Sequence, residues 1–509
     1  MMRMKIASTG AGLLVGTVLW VAGPGAQAQP PVPRPPAAAA PPAPVQTNED
    51  TTPLAVPTDL VVAHPGGLMA DQVSVRAAGT SWSAKASMET VRGAAARVDE
   101  AWAGFLPRLS GIAKYTRLSK FTPNSITFPA VDYMGTVSAG PLNGTNFAVT
   151  SPPTTVPGSA LSPIFLDNYL LQGTLTVPIS DYFLRIDQNY TAATRSEEAA
   201  RWDFIAARAA SGANGQVAYY TWLRARGAVI VAVQAVNDQR THLRDARNQF
   251  SVGNASKADV LRAETAVASA DLALERAKNL ADLSEKQVRV AIHAPDDEVL
   301  VPGEALDATP PPMQGNVHQM SLEARNSRAE VKSADANAAA AREQAAVARA
   351  GRYPVISAFA DGIAASPHPR YFPATTDVKE TWDLGAQMTW SPNDLFTANS
   401  SVTDAESRAA ATEANKNNLR DNIDIEVTQD TQAVKEADFA IDSSGRELAS
   451  AEEAYRVARE LFNNGRGTST TLTDAETDLT RARLDLLNAR ADARIARIRL
   501  DHALGRDAR

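Results

Sequence analysis

The sequence has 509 residues, of which 44% are apolar, 6% aromatic and 21% charged, and its formal net charge is −7. It contains no cysteine, which excludes disulfides, thiolate catalysis, cysteine-ligated zinc, iron–sulfur clusters and lipid attachment through cysteine. The acidic balance argues against a nucleic-acid-binding protein, because such proteins usually carry a basic excess.

The first 28 residues predict a secretory signal peptide. A basic start precedes an apolar run from Ile6 to about Val21, and small residues at 26–28 supply a cleavage site. An uncleaved membrane anchor is the alternative, but the run is short for a spanning helix and helix-breaking Pro24 follows it. Residues 29–58 are rich in Pro and Ala, which predicts an extended spacer without a core.

The rest of the sequence predicts an internal duplication, with a first repeat at 59–293, a linker at 294–316 and a second repeat at 317–509. Phe250 aligns with Phe462 in a gapless match, although solenoids and other duplicated folds give similar signals. Each repeat predicts a short helix, a β-hairpin and a long helical hairpin. The first repeat has a β-hairpin with a long loop at 119–167 and a helical hairpin at 181–293, and the second has them at 354–391 and 392–505.

The predicted helical hairpins carry coiled-coil patterns. After the second turn, large apolar residues recur every seven residues and small ones follow three positions later, which predicts a seam with closely approaching backbones. The same helix carries a second apolar stripe, from Leu484 to Ile498. Two stripes favour a closed wall of helices over an ordinary two-helix hairpin in a bundle. The seam consists of Leu472, Leu479, Leu486, Ala493 and Leu500 with Ala475, Ala482, Ala489, Ala496 and Ala503.

Three glycines lie inside the long helix predicted before the first turn, at Gly212, Gly215 and Gly227. Glycine in a helix interior costs stability, so these positions weaken the prediction of one continuous helix. The nearby apolar run Gly227–Val236 is too short to span a bilayer.

The predicted β-hairpins alternate apolar and polar residues. A soluble sheet with one wet face alternates in the same way, whereas a sheet in lipid must close into a barrel to pair its edges. Four strands cannot close a barrel alone, but three chains supplying twelve strands can. Trp382 and Trp390 are eight residues apart, about 26 Å along a strand. Together with Tyr169 they predict aromatic girdles at the membrane interfaces.

The order and spacing of several short motifs make the sequence resemble the TolC family of outer-membrane efflux proteins. Leu106-Pro107 and Tyr353-Pro354 open the predicted strands, and Val252-Gly253 lies in the first of two F-x-x-G turns. The stretch Leu500–Gly505 is similar to the closing L-x-x-A-L-G of the family. The usual lipid-attachment motif is absent, so the resemblance is to non-lipidated members.

This resemblance implies a mixed α/β membrane protein that is mainly α-helical. It implies a homotrimer whose twelve-stranded outer-membrane β-barrel, with four strands per chain, continues into a coiled-coil periplasmic tunnel of a Gram-negative bacterium. The implied function is the exit duct of a tripartite efflux or type I secretion system, a passive gated channel that uses no cofactor. The implied partners are a periplasmic adaptor protein and an inner-membrane transporter, which supplies the energy.

The resemblance also implies roles for residues near the two turns. The expected adaptor-docking residues are Val252, Gly253 and Asn254 in the first turn and Asn464, Gly465 and Arg466 in the second. The expected gate residue is Asp474, because three symmetry-related carboxylates would attract cations and repel anions. Thr471 occupies the place of a second family acid, and Asp259 is its equivalent in the first repeat. Alternatively, the glycines only end helices and Asp474 is a solvated surface residue.

Two other classes of protein are open from the sequence. A non-channel coiled-coil scaffold or adaptor would carry one helical hairpin inserted in a small β-domain, whereas two hairpins are predicted here. A hydrolase is more remote, because no nucleophile, base and acid stand in a recognisable motif. The histidines are scattered without an H-E-x-x-H pair, so only a metal site assembled from distant residues is conceivable. They are His64, His242, His293, His318, His368 and His502.

Overall fold

The computed structural model describes residues 54–55, 63–120, 125–136, 144–156, 165–308, 310–313, 315–372 and 374–507. The predicted signal peptide and most of the predicted spacer lie outside these residues. All elements below belong to the unit Pro53–Arg509. The helices are α1 (Ala70–Thr80), α2 (Trp82–Ala103), α3 (Asp187–Ser251), α4 (Lys257–Ile292), α5 (Val317–Ser327), α6 (Ala329–Ala350), α7 (Asp394–Asn463) and α8 (Ser469–Ala503). The strands are β1 (Arg108–Arg117), β2 (Ile126–Phe128), β3 (Val131–Thr136), β4 (Asn146–Ser151), β5 (Thr154–Val156), β6 (Asp167–Val177), β7 (Val355–Ser366) and β8 (Lys379–Thr389).

The long strands form one antiparallel sheet in the order β1-β6-β7-β8. The pairs β1–β6 and β7–β8 are the two predicted hairpins, and β6 pairs with β7 to join the repeats. One face is apolar, and Tyr169, Trp382 and the residue after β8, Trp390, lie on it. The other face is mixed: Thr174 lies opposite Asp361 there, and Phe359 and Ile363 of β7 lie on the same side. The sheet therefore has two edge strands, β1 and β8, and one exposed apolar face.

The described residues of the predicted long loop at 119–167 include four short strands, β2 to β5. Within it, β2 pairs with β5 and β3 pairs with β4, so the chain forms a two-stranded ribbon. Tyr133, Phe147 and Val149 share one face of the ribbon, and the ring centroids of Tyr133 and Phe147 are 6.1 Å apart. The sequence predicts a long loop here without these strands, because strands of three to six residues alternate too briefly to stand out.

Each short helix predicted before a strand is in fact two helices. Ser81 separates α1 from α2 with a ψ of 132°, and its hydroxyl accepts hydrogen bonds from the first amides of α2. Arg328 separates α5 from α6 with φ −61° and ψ 132°. A residue in this extended conformation interrupts the helical hydrogen-bond ladder, which apolar periodicity alone does not reveal.

The short helices continue the helical layer where the return helices end. Ile292 at the end of α4 shares a buried cluster with Val73 of α1, and Leu500 near the end of α8 shares one with Met320 of α5. These shared clusters place the short helices end to end with the return helices. The helix α3 has 65 residues and α4 only 36. At 1.5 Å per residue, α3 is about 100 Å long and α4 about 54 Å. A further helix, α1, is therefore needed to cover the rest of α3.

The helix α3 runs without interruption through its three glycines because these residues admit neighbouring helices. A Cβ atom on Gly212 would lie 2.6 Å from Ser74 Oγ, and one on Gly215 would lie 2.8 Å from Ala77 Cβ, both in α1. On the other side, a Cβ on Gly227 would lie 2.6 Å from Leu487 of α8. The glycines therefore serve close packing instead of breaking the helix.

The helix α8 packs on two sides, as its two stripes predict. Leu500 shares a cluster with Val434 of α7, whereas Ile495 shares another with Trp222 of α3. This contact joins the two helical hairpins into one layer. Within the described residues, no helix has a stretch long and apolar enough to cross a membrane.

We predict that Gly215→Ala lowers thermal stability, because the added methyl group overlaps Ala77 and forces α1 away from α3. Overpacking of this kind costs about 1–3 kcal/mol, measurable as a lower midpoint of the circular dichroism melt. The matched control is Gly93→Ala in α2, where the added Cβ meets no described atom within 4 Å. The control should keep or raise the midpoint, since Ala is the better helix former. Equal shifts in both variants would contradict the packing role.

Candidate functional site at the helix-to-helix turns

The two long helices α3 and α7 end in turns of the same geometry. Gly253 has a φ of +83°, and its amide donates to the carbonyl oxygen three residues earlier at 3.1 Å, while the Asn254 amide donates five residues back at 2.9 Å. Gly465 has a φ of +69°, and the corresponding bonds from Gly465 and Arg466 measure 3.0 and 2.8 Å. This arrangement satisfies the terminal carbonyls and favours glycine at the positive φ.

Both turns present an exposed surface. The predicted docking residues are all exposed, and the exposed fraction of Val252 is 68%. The second turn also needs Gly467, because a Cβ there would lie 2.9 Å from the backbone nitrogen of Phe462. The exposed set consists of Val252, Gly253, Asn254, Asn464, Gly465 and Arg466.

Asp259 and Thr471 act in the caps of the return helices. The Asp259 carboxylate accepts hydrogen bonds from the Ser256 amide (3.0 Å) and hydroxyl (2.6 Å), closing a capping box at the start of α4. These bonds, the hydroxyl first, hold the pKa of Asp259 below its usual value. Thr471 occupies the same place in α8, where its amide donates to Thr468 Oγ1 at 3.1 Å. Capping thus explains both residue types without a gate.

Asp474 lies one turn into α8 and its side chain is exposed. At 100° per residue it stands on the side of the helix opposite the buried seam residue Leu472. Among the described residues it has no hydrogen-bond or ion-pair partner. The carboxylate is therefore exposed to solvent on the outer side of α8.

A buried cluster, here called the tip cluster, holds the four long helices together behind the turns. It contains residues from α3, α4, α7 and α8, and the two turns are also linked by a hydrogen bond from Gln249 Nε2 to the Asn463 carbonyl oxygen at 3.3 Å. The two hairpins therefore meet as one packed unit at this end. The tip cluster consists of Leu243, Ala246, Val260, Ala263, Ala458, Phe462 and Leu472.

Three polar side chains that the sequence did not single out meet beside this cluster. His242 of α3 contacts Glu476 Oε2 through Nδ1 at 3.0 Å and Ser469 Oγ through Nε2 at 3.2 Å, both in α8. His242 is 2%, Glu476 4% and Ser469 5% exposed. In the sequence His242 is one of several scattered histidines. The sequence could have indicated burial of His242, because it lies about one helical turn from Gln239 and Ala246, which are also on the buried side of α3.

The predicted membrane-girdle aromatics lie together on the exposed apolar face of the sheet. Trp382 is 79%, Trp390 54% and Tyr169 55% exposed. Tyr169 packs against Tyr115 of β1 with ring centroids 5.1 Å apart. Large aromatic side chains left open to this extent mark a surface that is covered in the functional state.

Within the described residues, no group of three or more His, Asp or Glu side chains has a geometry that could hold a metal ion. Polar side chains on the second face of the sheet pair with each other or with the loop after β7. Arg370 Nη2 donates to Asp383 Oδ1 at 2.7 Å, and Gln172 Nε2 donates to Asp361 Oδ1 at 3.3 Å.

A family profile and several solved structures of outer-membrane proteins match this chain. The profile of the outer membrane efflux protein family matches residues 84–292 and 321–506. The solved outer-membrane channel OprN is 17% identical with a TM-score of 0.67, over 86% of this chain and 89% of that chain. The Campylobacter jejuni CmeC outer membrane channel is 15% identical with a TM-score of 0.65, over 86% and 85%. The Vibrio cholerae outer membrane protein VceC is 18% identical with a TM-score of 0.64, over 86% and 96%. No curated protein is a significant match.

We predict that Gly465→Ala loosens the second turn, whereas Gly465→Asn does so less. A left-handed conformation costs Ala about 1–2 kcal/mol, and Asn tolerates it better. Hydrogen exchange measured by mass spectrometry should show faster exchange of the turn amides at 465–467 in the Ala variant. Equal exchange in both variants would contradict the requirement for positive φ.

Proposed function

The chain belongs to the outer membrane efflux protein family, and on this premise we propose that it is the outer-membrane exit duct of a tripartite efflux or type I secretion system. It conducts passively through a gated trimeric tunnel, and an inner-membrane pump supplies the energy. The observation that carries the proposal is a sheet with two open edges and an apolar face, joined directly to two long helical hairpins.

The open sheet supports assembly of three copies. In lipid, the unpaired backbone groups of β1 and β8 would each cost several kcal/mol. Pairing β8 of one copy with β1 of the next removes both edges, and three copies supply twelve strands, enough for a closed barrel. The apolar face carrying Trp382 and Tyr169 then contacts the lipid of the outer membrane, with Trp390 at one interface.

The helices support the same assembly. On α4, one stripe of large apolar residues points away from the seam that packs on α3, and each member is at least half exposed in a single chain. A second copy of the chain would cover this stripe and complete the wall of helices. The stripe consists of Leu261, Leu272, Leu283 and Val290.

The turns support the proposed partners. They lie at the far ends of α3 and α7 from the sheet, which would put them on the periplasmic side of an outer-membrane protein. Their exposed residues, Val252 to Asn254 and Asn464 to Arg466, are available to a periplasmic adaptor protein coupled to an inner-membrane transporter. Asp474, on the exposed side of α8, is the proposed gate residue.

A non-channel coiled-coil scaffold is the alternative function. It accounts for the helices but not for a sheet whose one face exposes Trp382, Leu384 and Met388, each at least 67% accessible. A surface of this kind on a scaffold would promote aggregation. The two equivalent hairpins also differ from the single hairpin expected of an adaptor.

We predict that the purified protein forms trimers and conducts ions in planar lipid bilayers. Leu272→Glu should reduce the trimer fraction about tenfold, since a charge is placed in an apolar interface. Ala273→Glu, an equal charge change on the flank of the same helix, is the control and should leave trimers intact. Trimer content is measured by light scattering in detergent. Soluble recovery without conductance would refute the channel.

We also predict that Asp474→Asn lowers the preference of the channel for cations. Removing one carboxylate from each of three copies weakens the local negative potential, so the K⁺/Cl⁻ permeability ratio should fall about twofold or more. Reversal potentials in a salt gradient measure this ratio. Glu89→Gln in α2 removes an exposed carboxylate elsewhere and should not alter it. An unchanged ratio in Asp474→Asn would remove Asp474 from the gate.

A further inference from the structure

The ribbon formed by β2 to β5 has an apolar face that remains exposed in a single chain. Val131, Tyr133 and Val149 lie on this face, and each is at least 56% exposed. Phe147 lies beside Tyr133 because Gly135, directly opposite, leaves room for its ring: a Cβ on Gly135 would lie 2.6 Å from Phe147 Cζ. The side chains of Val131, Tyr133, Phe147 and Val149 are here called the ribbon face.

The ribbon face needs a partner. The ribbon consists of two sheets of two strands each, and a two-stranded sheet alone is at best marginally stable in water. A cluster of large apolar side chains that stays open to solvent marks a surface that binds another molecule. We therefore expect the ribbon face to be covered in the assembled protein.

The composition of the ribbon limits the chemistry of this partner. Residues 121–166 contain a single charged residue, Asp132, and no Lys or Arg. Phosphate groups, including those of lipid head groups, are held by Lys and Arg side chains. The ribbon lacks these side chains, so the partner that fits it is an uncharged, apolar surface of a protein.

The loop between β7 and β8, at residues 367–378, has such a surface. Phe372 is 80% exposed, and Tyr371 and Val378 are exposed as well. These three side chains are here called the loop face. Both the loop face and the ribbon face are open in the single chain, so contacts within one chain do not cover either of them.

The loop is held in a defined shape beneath its exposed side chains. His368 is 2% exposed; its Nδ1 accepts a hydrogen bond from the Arg370 amide and its Nε2 contacts Thr381 Oγ1, both at 3.1 Å. The Arg370 guanidinium donates to Asp383 at 2.7 Å, which neutralises its charge. The ring of Tyr371 packs edge-on against His368 at a centroid distance of 5.2 Å. The loop face is therefore a preformed surface.

The strand order brings the two faces together across neighbouring copies. β1 and β7 are both antiparallel to β6, so the ribbon that follows β1 and the loop that follows β7 leave the sheet at the same end. In the proposed barrel, β8 of one copy pairs with β1 of the next. The hairpin β7–β8 then lies beside the hairpin β1–β6 of the next copy, and their midlines are two strand spacings, about 10 Å, apart.

We propose that the ribbon face of one copy docks on the loop face of the next, so that an apolar strap crosses each β8–β1 junction at the end of the sheet far from the helices. The occupant of the ribbon face is thus a second copy of this chain. The proposal rests on the proposed trimer, because only a neighbouring copy brings a second loop beside the ribbon. Three straps hold the copies together where each sheet has an open edge.

The absence of cysteine in the sequence allows a direct test. Two forms of the full chain, Tyr133→Cys and Phe372→Cys, carry tags of different size and are produced together. The purified assembly is treated with a bismaleimide linker of about 10 Å, the expected separation of the two hairpins. Each chain has one thiol, so every cross-link joins two copies, and denaturing electrophoresis separates mixed dimers from dimers of one form.

We expect mixed dimers as the main product. Met134→Cys in place of Tyr133→Cys is the matched control, because Met134 follows on the same strand and is 78% exposed but lies on the opposite face of the ribbon. The control should give at least fivefold fewer mixed dimers. Equal yields from the two positions would overturn the strap. Dimers of Tyr133→Cys chains alone would also overturn it, since they would place the ribbons against each other.

Phe147→Ala provides a second measurement, because it removes a ring from the ribbon face. The fraction of trimer that survives heating in detergent should fall at least threefold. Met134→Ala removes apolar area from the opposite face and should leave this fraction unchanged, so an equal fall in both variants would contradict the strap.

Conductance and light scattering on the cross-linking samples separate the strap from the channel. A conducting trimer without mixed dimers refutes only the strap. A chain that stays monomeric overturns the proposed trimer and the strap together.

Discussion

The close approach of helices along α3 is the constraint on which the rest of the structure depends. This helix of 65 residues contacts α1, α2, α4, α6 and α8. Small residues provide the room, including Gly212, Gly215 and Gly227, each of which faces an atom that a Cβ would overlap. Because α3 supplies the surface for both hairpins, the layer of helices and the position of the turns follow from this packing.

The two repeats have similar backbone geometry at the turns. The side chains beside the turns have different surroundings. Glu264 and Glu476 occupy equivalent places in the two repeats, yet Glu264 pairs with Arg247 at 3.1 Å near the surface while Glu476 is buried against His242. Phe250 is 45% exposed, whereas its counterpart Phe462 is 5% exposed. The second hairpin is thus packed against the first through contacts that the first repeat does not reproduce.

The sheet and the helices are incomplete in one chain for related physical reasons. The sheet leaves backbone donors and acceptors unpaired along β1 and β8, and α4 leaves a stripe of leucines uncovered. In the proposed trimer, neighbouring copies arranged around one axis would remove both deficits. Membership of the outer membrane efflux protein family is the context for the proposal that the apolar face of the sheet contacts lipid and that the helical turns bind a periplasmic adaptor.

The sequence by itself determined the duplication, the four long strands, the two long helical hairpins and the glycine turns, because each produces a periodic or repeated pattern over many residues. It did not reveal the breaks at Ser81 and Arg328, the ribbon inside the predicted loop, or the reason for the glycines of α3. Only the tertiary structure joined His242 to Glu476 and Ser469, residues more than two hundred positions apart. No local pattern encodes that contact, since it arises where two separately formed hairpins pack against each other.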